Sequence, residues 1–401
     1  MNLSRTIVVV LFALIPAAVH TLTLVLPSGD SAAGCPLPAF ELRRNVPSGT
    51  AQLDTTSLLR SIQHMSGVAY IRRLGNSIRL HLRHELPWVI KGQGKNMMLF
   101  IMGEVWAARG ITPQTEFLGT WFAERIALKR DQLRQKGWHL ILLPVPSKLS
   151  IYHHYLSWPI EDETPGVNKP VATDRTDELA NLMFASLEAH QIAAVDLRMS
   201  FRSWISKHQA PPFLYPPGES HWSGDGIALA ATLMADYLAD HFALRRYQGE
   251  FTYLSYRNPN DMANAFDVFP SLAGSFKQLL FYDDKLIVDR PHTANRRTQR
   301  SPQALIVVAG TSYSGQYWGT VAPHRGDFPW VLQLHLENVE VQNRATAGQG
   351  SYEGFEVFQK EADSIAAEFE MRNTLSQNDY KRIVIWEFPF RDTRGMPIWL
   401  K

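Results

Sequence analysis

The sequence holds one cysteine, Cys35. A disulfide scaffold needs paired thiols, and zinc-ribbon and iron–sulfur sites need several, so all three are excluded. An excess of charge of one sign is also missing. Lys and Arg number 40 against 38 Asp and Glu, a formal net charge of +2. Nothing there neutralises a run of phosphates, so nucleic acid is not an expected partner. Neither a GxGxxG after a strand nor a P-loop pattern occurs, which removes two phosphate cradles. His139 and the pair His153-His154 have no complementary ligands at metal spacing, and adjacent side chains diverge on a strand. No metal and no cofactor are therefore expected. Internal repeats are absent. Long apolar runs are scarce too: one only, which excludes a polytopic transporter.

That run covers residues 6–27, follows Arg5, and is free of charge up to Asp30. About 20 apolar residues cross a bilayer, so it is long enough. A positive start before an apolar run marks an export signal or an uncleaved signal-anchor. The length favours the anchor; Ser31-Ala32-Ala33 offers a small-residue cleavage site and keeps the cleaved signal open. Residues 1–28 are thus read as signal-anchor or signal peptide, and 29–78, with their Pro, Gly and Ser turns, as a linker. Residues 79–401 form the main domain. With 45% hydrophobic and 19% charged residues, the chain can bury a real core.

In that domain apolar strand runs alternate with helical patterns. Strands are expected at 138–143, 192–197, 304–309, near Val341 and at 382–386. Helices are expected at 122–136, 177–190 and 224–241, the last capped by Ser223. Residues 168–176 and 289–301 are polar and read as loops. Alternating βα units with buried apolar strands predict an α/β fold around a mainly parallel sheet.

Two segments could carry chemistry. In 304–316, ALIVVAGTSYSGQ, a strand runs into Gly310-Thr311-Ser312-Tyr313-Ser314. A serine on a tight turn at a strand's carboxyl end is where α/β sheets place a nucleophile. Gly310 would permit close backbone approach to a reacting carbonyl. The Ser312 amide could hold an oxyanion. An ordinary cap on a following helix is the plainer account. In 215–226, YPPGESHWSGDG, Glu219 and His221 are separated by one residue. A serine hydroxyl needs a base, His is the usual one, and a carboxylate fixes its tautomer. A carboxylate two residues away can fold back onto the ring. Asp225 is a competing carboxylate, better placed to serve the helix start.

Taken in order, six stretches give the chain a likeness to a known family. They are Pro144-Val145-Pro146-Ser147-Lys148 with Tyr152, Val195-Asp196-Leu197, Glu219-Ser220-His221-Trp222, Gly310-Thr311-Ser312-Tyr313-Ser314, residues 343–350 and residues 385–391. Together they resemble the SGNH-hydrolase-like domain of the alginate O-acetyltransferase family over roughly residues 85–395. The resemblance implies a three-layer sandwich preceded by a membrane anchor, a periplasmic location, and acetylation of an exopolysaccharide. It implies Ser312 as nucleophile, His221 as general base and Glu219 in place of the family's aspartate. It also implies an acetyl donor presented through a membrane-bound O-acyltransferase partner, with the N-terminal helix in the inner membrane. Gly310, Asn343, Tyr313, Tyr317, Trp318 and Lys148 are carried along as candidate oxyanion or substrate contacts. No carbohydrate-binding module is expected after the last strand. An acetylesterase on the same triad and a non-catalytic polysaccharide-binding subunit remain open alternatives.

Overall fold

Residues 304–309 are aliphatic throughout, so the strand they form has no polar face. Such a strand is stable only with helices over both faces. In the computed structural model all six are buried, and the sheet around them is covered on both sides. The structure describes residues 117–155, 171–208, 213–259, 281–290, 302–314, 326–345 and 351–390, with 85–86, 89–91, 98–101 and Glu104 before them. These residues fall within one compact unit, 79–266 and 270–401. The apolar run 6–27 lies outside the described residues; among those described, no helix is long and apolar enough to cross a membrane.

In chain order the elements are β1 (Glu85–Leu86), β2 (Val89–Lys91), β3 (Leu99–Ile101), α1 (Phe122–Gln135), β4 (Trp138–Val145), α2 (Lys148–Tyr152), α3 (Val171–Ala189), β5 (Ala193–Ala194), α4 (Arg198–Lys207), α5 (Gly224–Phe242), β6 (Thr252–Pro259), β7 (Phe281–Asp289), β8 (Ala304–Ala309), α6 (Phe328–His335), β9 (Val339–Asn343), α7 (Ser351–Asn373) and β10 (Lys381–Pro389). The central sheet has the order β5-β4-β10-β8-β9, and every neighbouring pair is parallel. Strands β1 to β3 make a small antiparallel sheet, and β6 pairs with β7 as a separate antiparallel ribbon.

Period-two alternation sorts the strand side chains between two cores. Ile141, Leu143, Ile306, Val308, Ile383 and Ile385 join Phe201 of α4, Met234 of α5 and Leu332 of α6 on one face. Leu140, Leu142, Leu305, Val307, Val384 and Trp386 join Ile126 of α1, Met183 of α3 and Phe355 of α7 on the other. The result is helix, sheet, helix, the three layers expected. Phe355 stacks on Trp386 with ring centroids 4.2 Å apart and planes 8° from parallel. Burying an aromatic of this size contributes on the order of 3 kcal/mol.

Chain order decides where the site falls. The last strand, β10, lies between β4 and β8, while β5 and β9 leave toward opposite edges. Parallel sheets open a crevice at the carboxyl ends of strands that part in this way. The turns after β4, β8 and β10 all lie at that end.

Three local expectations are corrected. Residues 171–176, read as loop, form the start of α3; their run of Thr, Asp and Arg has no apolar periodicity of its own, and the helix is set by the apolar residues that follow. The strand expected over 192–197 shortens to Ala193–Ala194, because only Ile141 and Leu142 of β4 pair with it. The β6–β7 ribbon was not anticipated, since the sequences TYLSYRNP and FYDDKLIVD mix charge into the strand pattern.

Candidate active site

The polypeptide leaves β8 through Gly310 into a turn closed by the Ser314 amide on the Thr311 carbonyl, 3.1 Å. Ser312 sits on this turn and is partly exposed. The other half of the site comes from the loop before α5. There Ser223 caps the helix, accepting from the Gly226 amide at 3.1 Å and donating to the Phe213 carbonyl at 2.5 Å. The cap fixes the direction in which 219–222 enter the helix. Gly226 is required beside it: a Cβ there would lie 2.5 Å from the Leu214 carbonyl oxygen.

His221 Nε2 lies 2.7 Å from Ser312 Oγ, and His221 Nδ1 lies 2.7 Å from Glu219 Oε1. An ionised carboxylate only accepts, so Nδ1 carries the hydrogen and the Nε2 lone pair faces the serine hydroxyl. Glu219 is 2% exposed. Its Oε1 also accepts from the amides of Ser220, 2.7 Å, and His221, 3.1 Å. The glutamate therefore folds back onto its own backbone, which takes up its extra methylene.

Two reciprocal hydrogen bonds stitch the halves together. Trp222 Nε1 donates to the Tyr313 carbonyl at 2.8 Å, and Tyr313 Oη donates to the Ser220 carbonyl at 2.6 Å. The two rings meet edge to face at 5.6 Å, and Tyr313 also lies 4.8 Å from the His221 ring. Each motif thus supplies the partner the other needs. This lock requires the fold, and the sequence carried no signal for it beyond two aromatic residues beside the reactive ones.

The turn also settles which amide is available for chemistry. The Thr311 amide donates to Glu387 Oε2 at 2.9 Å, and the Tyr313 amide to Thr311 Oγ1 at 3.3 Å. The Ser312 amide donates to none of the described residues, so it is the donor available to an oxyanion on Ser312.

Several expected contacts are reassigned. Lys148 is 1% exposed, and its ammonium is turned into the protein rather than to solvent. Its ammonium donates to the carbonyls of Pro216, 2.6 Å, Pro217, 2.8 Å, and Glu219, 3.0 Å. Burial pulls its pKa down to about 7, against the opposing pull of Glu219 and Glu104. Asn343 is not free to hold an oxyanion: Nδ2 donates to the Ser314 carbonyl at 2.9 Å and to Asp327 at 3.1 Å, and Oδ1 accepts from the Ala345 amide at 2.9 Å. Tyr313 is buried packing rather than groove lining. The space beside Gly310 is taken by Glu387, not left to a ligand. Tyr317 and Trp318 lie outside the described residues. Asp225 belongs to the first turn of α5, and burial raises its pKa. Among the described residues no group of His, Cys, Asp and Glu could hold a metal ion.

Glu387, which no motif of the sequence marks as functional, is fully buried. The available signal was a lone carboxylate in the otherwise apolar stretch RIVIWEFP of β10.

The geometry can be set beside known proteins. Probable alginate O-acetylase AlgJ of Pseudomonas putida is 27% identical over 271 residues, 65% of this chain and 60% of that protein. The chain thus matches less than two thirds of the relative's length. The solved O-acetyltransferase domain of Pseudomonas putida AlgJ matches 78% of this chain and 98% of its own, with a TM-score of 0.51 and 24% identity; that likeness is one of fold. A family model described as ALGX, SGNH hydrolase-like domain, acetyltransferase AlgX, matches residues 118–390. With more than half its length matched, this chain belongs to the ALGX family and carries its SGNH hydrolase-like acetyltransferase domain.

Proposed function

We propose that this protein is an O-acetyltransferase that acetylates a bacterial exopolysaccharide through an acetyl-serine intermediate. The observation that carries the reading is the unbroken chain Glu219–His221–Ser312, with both contacts at 2.7 Å. His221 takes the proton as Ser312 Oγ attacks the acetyl carbonyl. Glu219 stabilises the imidazolium, and the Ser312 amide donates a hydrogen bond to the developing oxyanion. The donor's leaving group departs with the proton from His221. A sugar hydroxyl then enters, gives its proton to His221, and takes the acetyl group as Ser312 is restored.

Membership of the ALGX family and the likeness to the P. putida alginate O-acetylase support exopolysaccharide as acceptor. We place the enzyme in the periplasm, held at the inner membrane by residues 6–27, with acetyl groups delivered by a membrane-bound O-acyltransferase. The reading is tested by incubating the protein with p-nitrophenyl acetate and mapping the adduct by peptide mass spectrometry. An acetyl group on Ser312, absent in Ser312→Ala, is expected. Its transfer to an added polysaccharide faster than to water separates transferase from esterase. Labelling elsewhere, or none, overturns the reading.

A further inference from the structure

We infer that Glu387 is a positioning residue for the nucleophile, clamping the residue before Ser312 at both its backbone and its side chain; this rests on the reading of Ser312 as nucleophile. The carboxylate is fully buried at the carboxyl end of β10. The paired strands set it there: Trp386 is in register with Ala309, the last residue of β8. Glu387 Oε2 accepts from the Thr311 amide at 2.9 Å, and Oε1 accepts from Thr311 Oγ1 at 3.0 Å. Thr311 in turn supplies the carbonyl that closes the turn on Ser314 and the hydroxyl oxygen that receives the Tyr313 amide. Fixing Thr311 therefore fixes the residues on both sides of it, Ser312 included.

The surrounding packing is built around that carboxylate. A Cβ at Gly310 would lie 2.5 Å from Glu387 Oε2 and 2.9 Å from the Glu387 carbonyl oxygen. A Cβ at Gly354 of α7 would lie 2.6 Å from the Gly310 carbonyl oxygen. Two glycines thus let β8, β10 and α7 close on one another at the base of the turn. A buried carboxylate with no structural need for charge would be a costly choice in an apolar core. What it supplies here is a rigid two-pronged acceptor that turns the Thr311 amide inward and leaves the Ser312 amide pointing elsewhere.

The test is a pre-steady-state burst with p-nitrophenyl acetate. Its amplitude counts working sites, and its rate reports acylation per site. Wild type is run first with mass mapping of the adduct. Failure to acetylate Ser312 in wild type would sink the triad reading and this inference with it. Given acetyl-Ser312, Glu387→Ala is expected to slow the burst about 100-fold per site, since misplacing a reacting group by about 1 Å costs that much. Glu387→Gln should restore most of the rate, because its amide oxygen can accept from the Thr311 amide while its NH2 donates to Thr311 Oγ1. A lower amplitude at the wild-type rate in Glu387→Ala would mean a purely structural role and overturn the proposal, as would a Gln variant as slow as Ala. Should Glu387→Ala not fold, Thr311→Val decides. It removes one prong and with it the oxygen that receives the Tyr313 amide, and a burst slowed about 10-fold or more supports the clamp, in line with hydrogen bonds of about 1 kcal/mol each. An unchanged rate there refutes it.

Discussion

Replacing Glu219 by Gln separates charge from geometry at the proposed triad. In the native arrangement one carboxylate oxygen accepts from four donors: the Ser220 amide, the Ser220 hydroxyl, the His221 amide and His221 Nδ1. Two of these donors are backbone groups that cannot turn away. In Glu219→Gln they hold the amide oxygen where Oε1 was, so the imidazole keeps its tautomer and its orientation. What disappears is the negative charge that would face the imidazolium formed in the proposed attack of Ser312. Two unit charges about 4 Å apart at an effective dielectric of about 20 attract by about 4 kcal/mol. At 1.36 kcal/mol per decade this sets a ceiling of about 10³-fold on the acylation rate. We expect a fall of about 10²- to 10³-fold in the burst rate with p-nitrophenyl acetate, with amplitude and thermal melting close to wild type. An unchanged burst rate in Glu219→Gln would refute the reasoning and remove Glu219 from the triad. Another acid would then have to serve His221.

Two further changes test the frame that holds these groups. Burial pulls the Lys148 ammonium from its ordinary 10.5 down to about 7, so between these values the unfolded chain holds a proton that the folded protein releases. Stability should therefore rise with pH across that window, by up to about 1.4 kcal/mol per pH unit, and Lys148→Met should lack the slope. Urea unfolding of both proteins at several pH values measures it, and parallel curves would show that the three carbonyls keep the ammonium charged. Gly310→Ala forces a methyl group against Glu387. It should lower stability by about 1–3 kcal/mol in thermal or urea unfolding and slow acylation as well.

The elements legible from sequence were those whose signal is local. The strand at Ala304–Ala309 is apolar throughout and was read at its observed bounds, and Ser223 was read as the cap it is. Helix α3 was clear only from where its apolar spacing begins, and the β6–β7 ribbon was missed because its partner strand, not its own pattern, makes it a strand. The same division runs through the site. Ser312, His221 and Glu219 lie within short motifs whose residue types announce their chemistry. Glu387 is 76 residues from the Thr311 it clamps, and Lys148 is 68 residues from the first of its three carbonyls. A buried charge in an apolar strand can be noticed in a sequence, but the group it serves is chosen by strand register. Lys148 illustrates the reverse error: a lysine next to a strand end reads as a substrate contact until the fold closes three carbonyls over it.

The use of glutamate where the resembling family has aspartate follows from how both ends of the residue are held. A glutamate side chain loses more rotamer freedom on burial than a shorter acid, up to about 2 kcal/mol. Here its oxygen meets two fixed amides as well as the imidazole, and hydrogen bonds to a charged acceptor contribute about 1.5–3 kcal/mol each. That is ample to offset the added entropy. The backbone is held from the other side, where the Glu219 carbonyl accepts from Lys148 at 3.0 Å. Lys148 also binds the two proline carbonyls that lead into the loop, and Tyr215 Oη reaches the Pro146 carbonyl at 2.6 Å. The turn after β4 therefore grips the loop of Glu219, as Glu387 at the end of β10 grips the turn of Ser312. Each half of the His221–Ser312 pair is anchored to a different strand end of one parallel sheet, and the Trp222–Tyr313 exchange closes the gap between them. The position of His221 against Ser312 is thus fixed by the spacing of β4, β10 and β8, with the length of the acid absorbed locally.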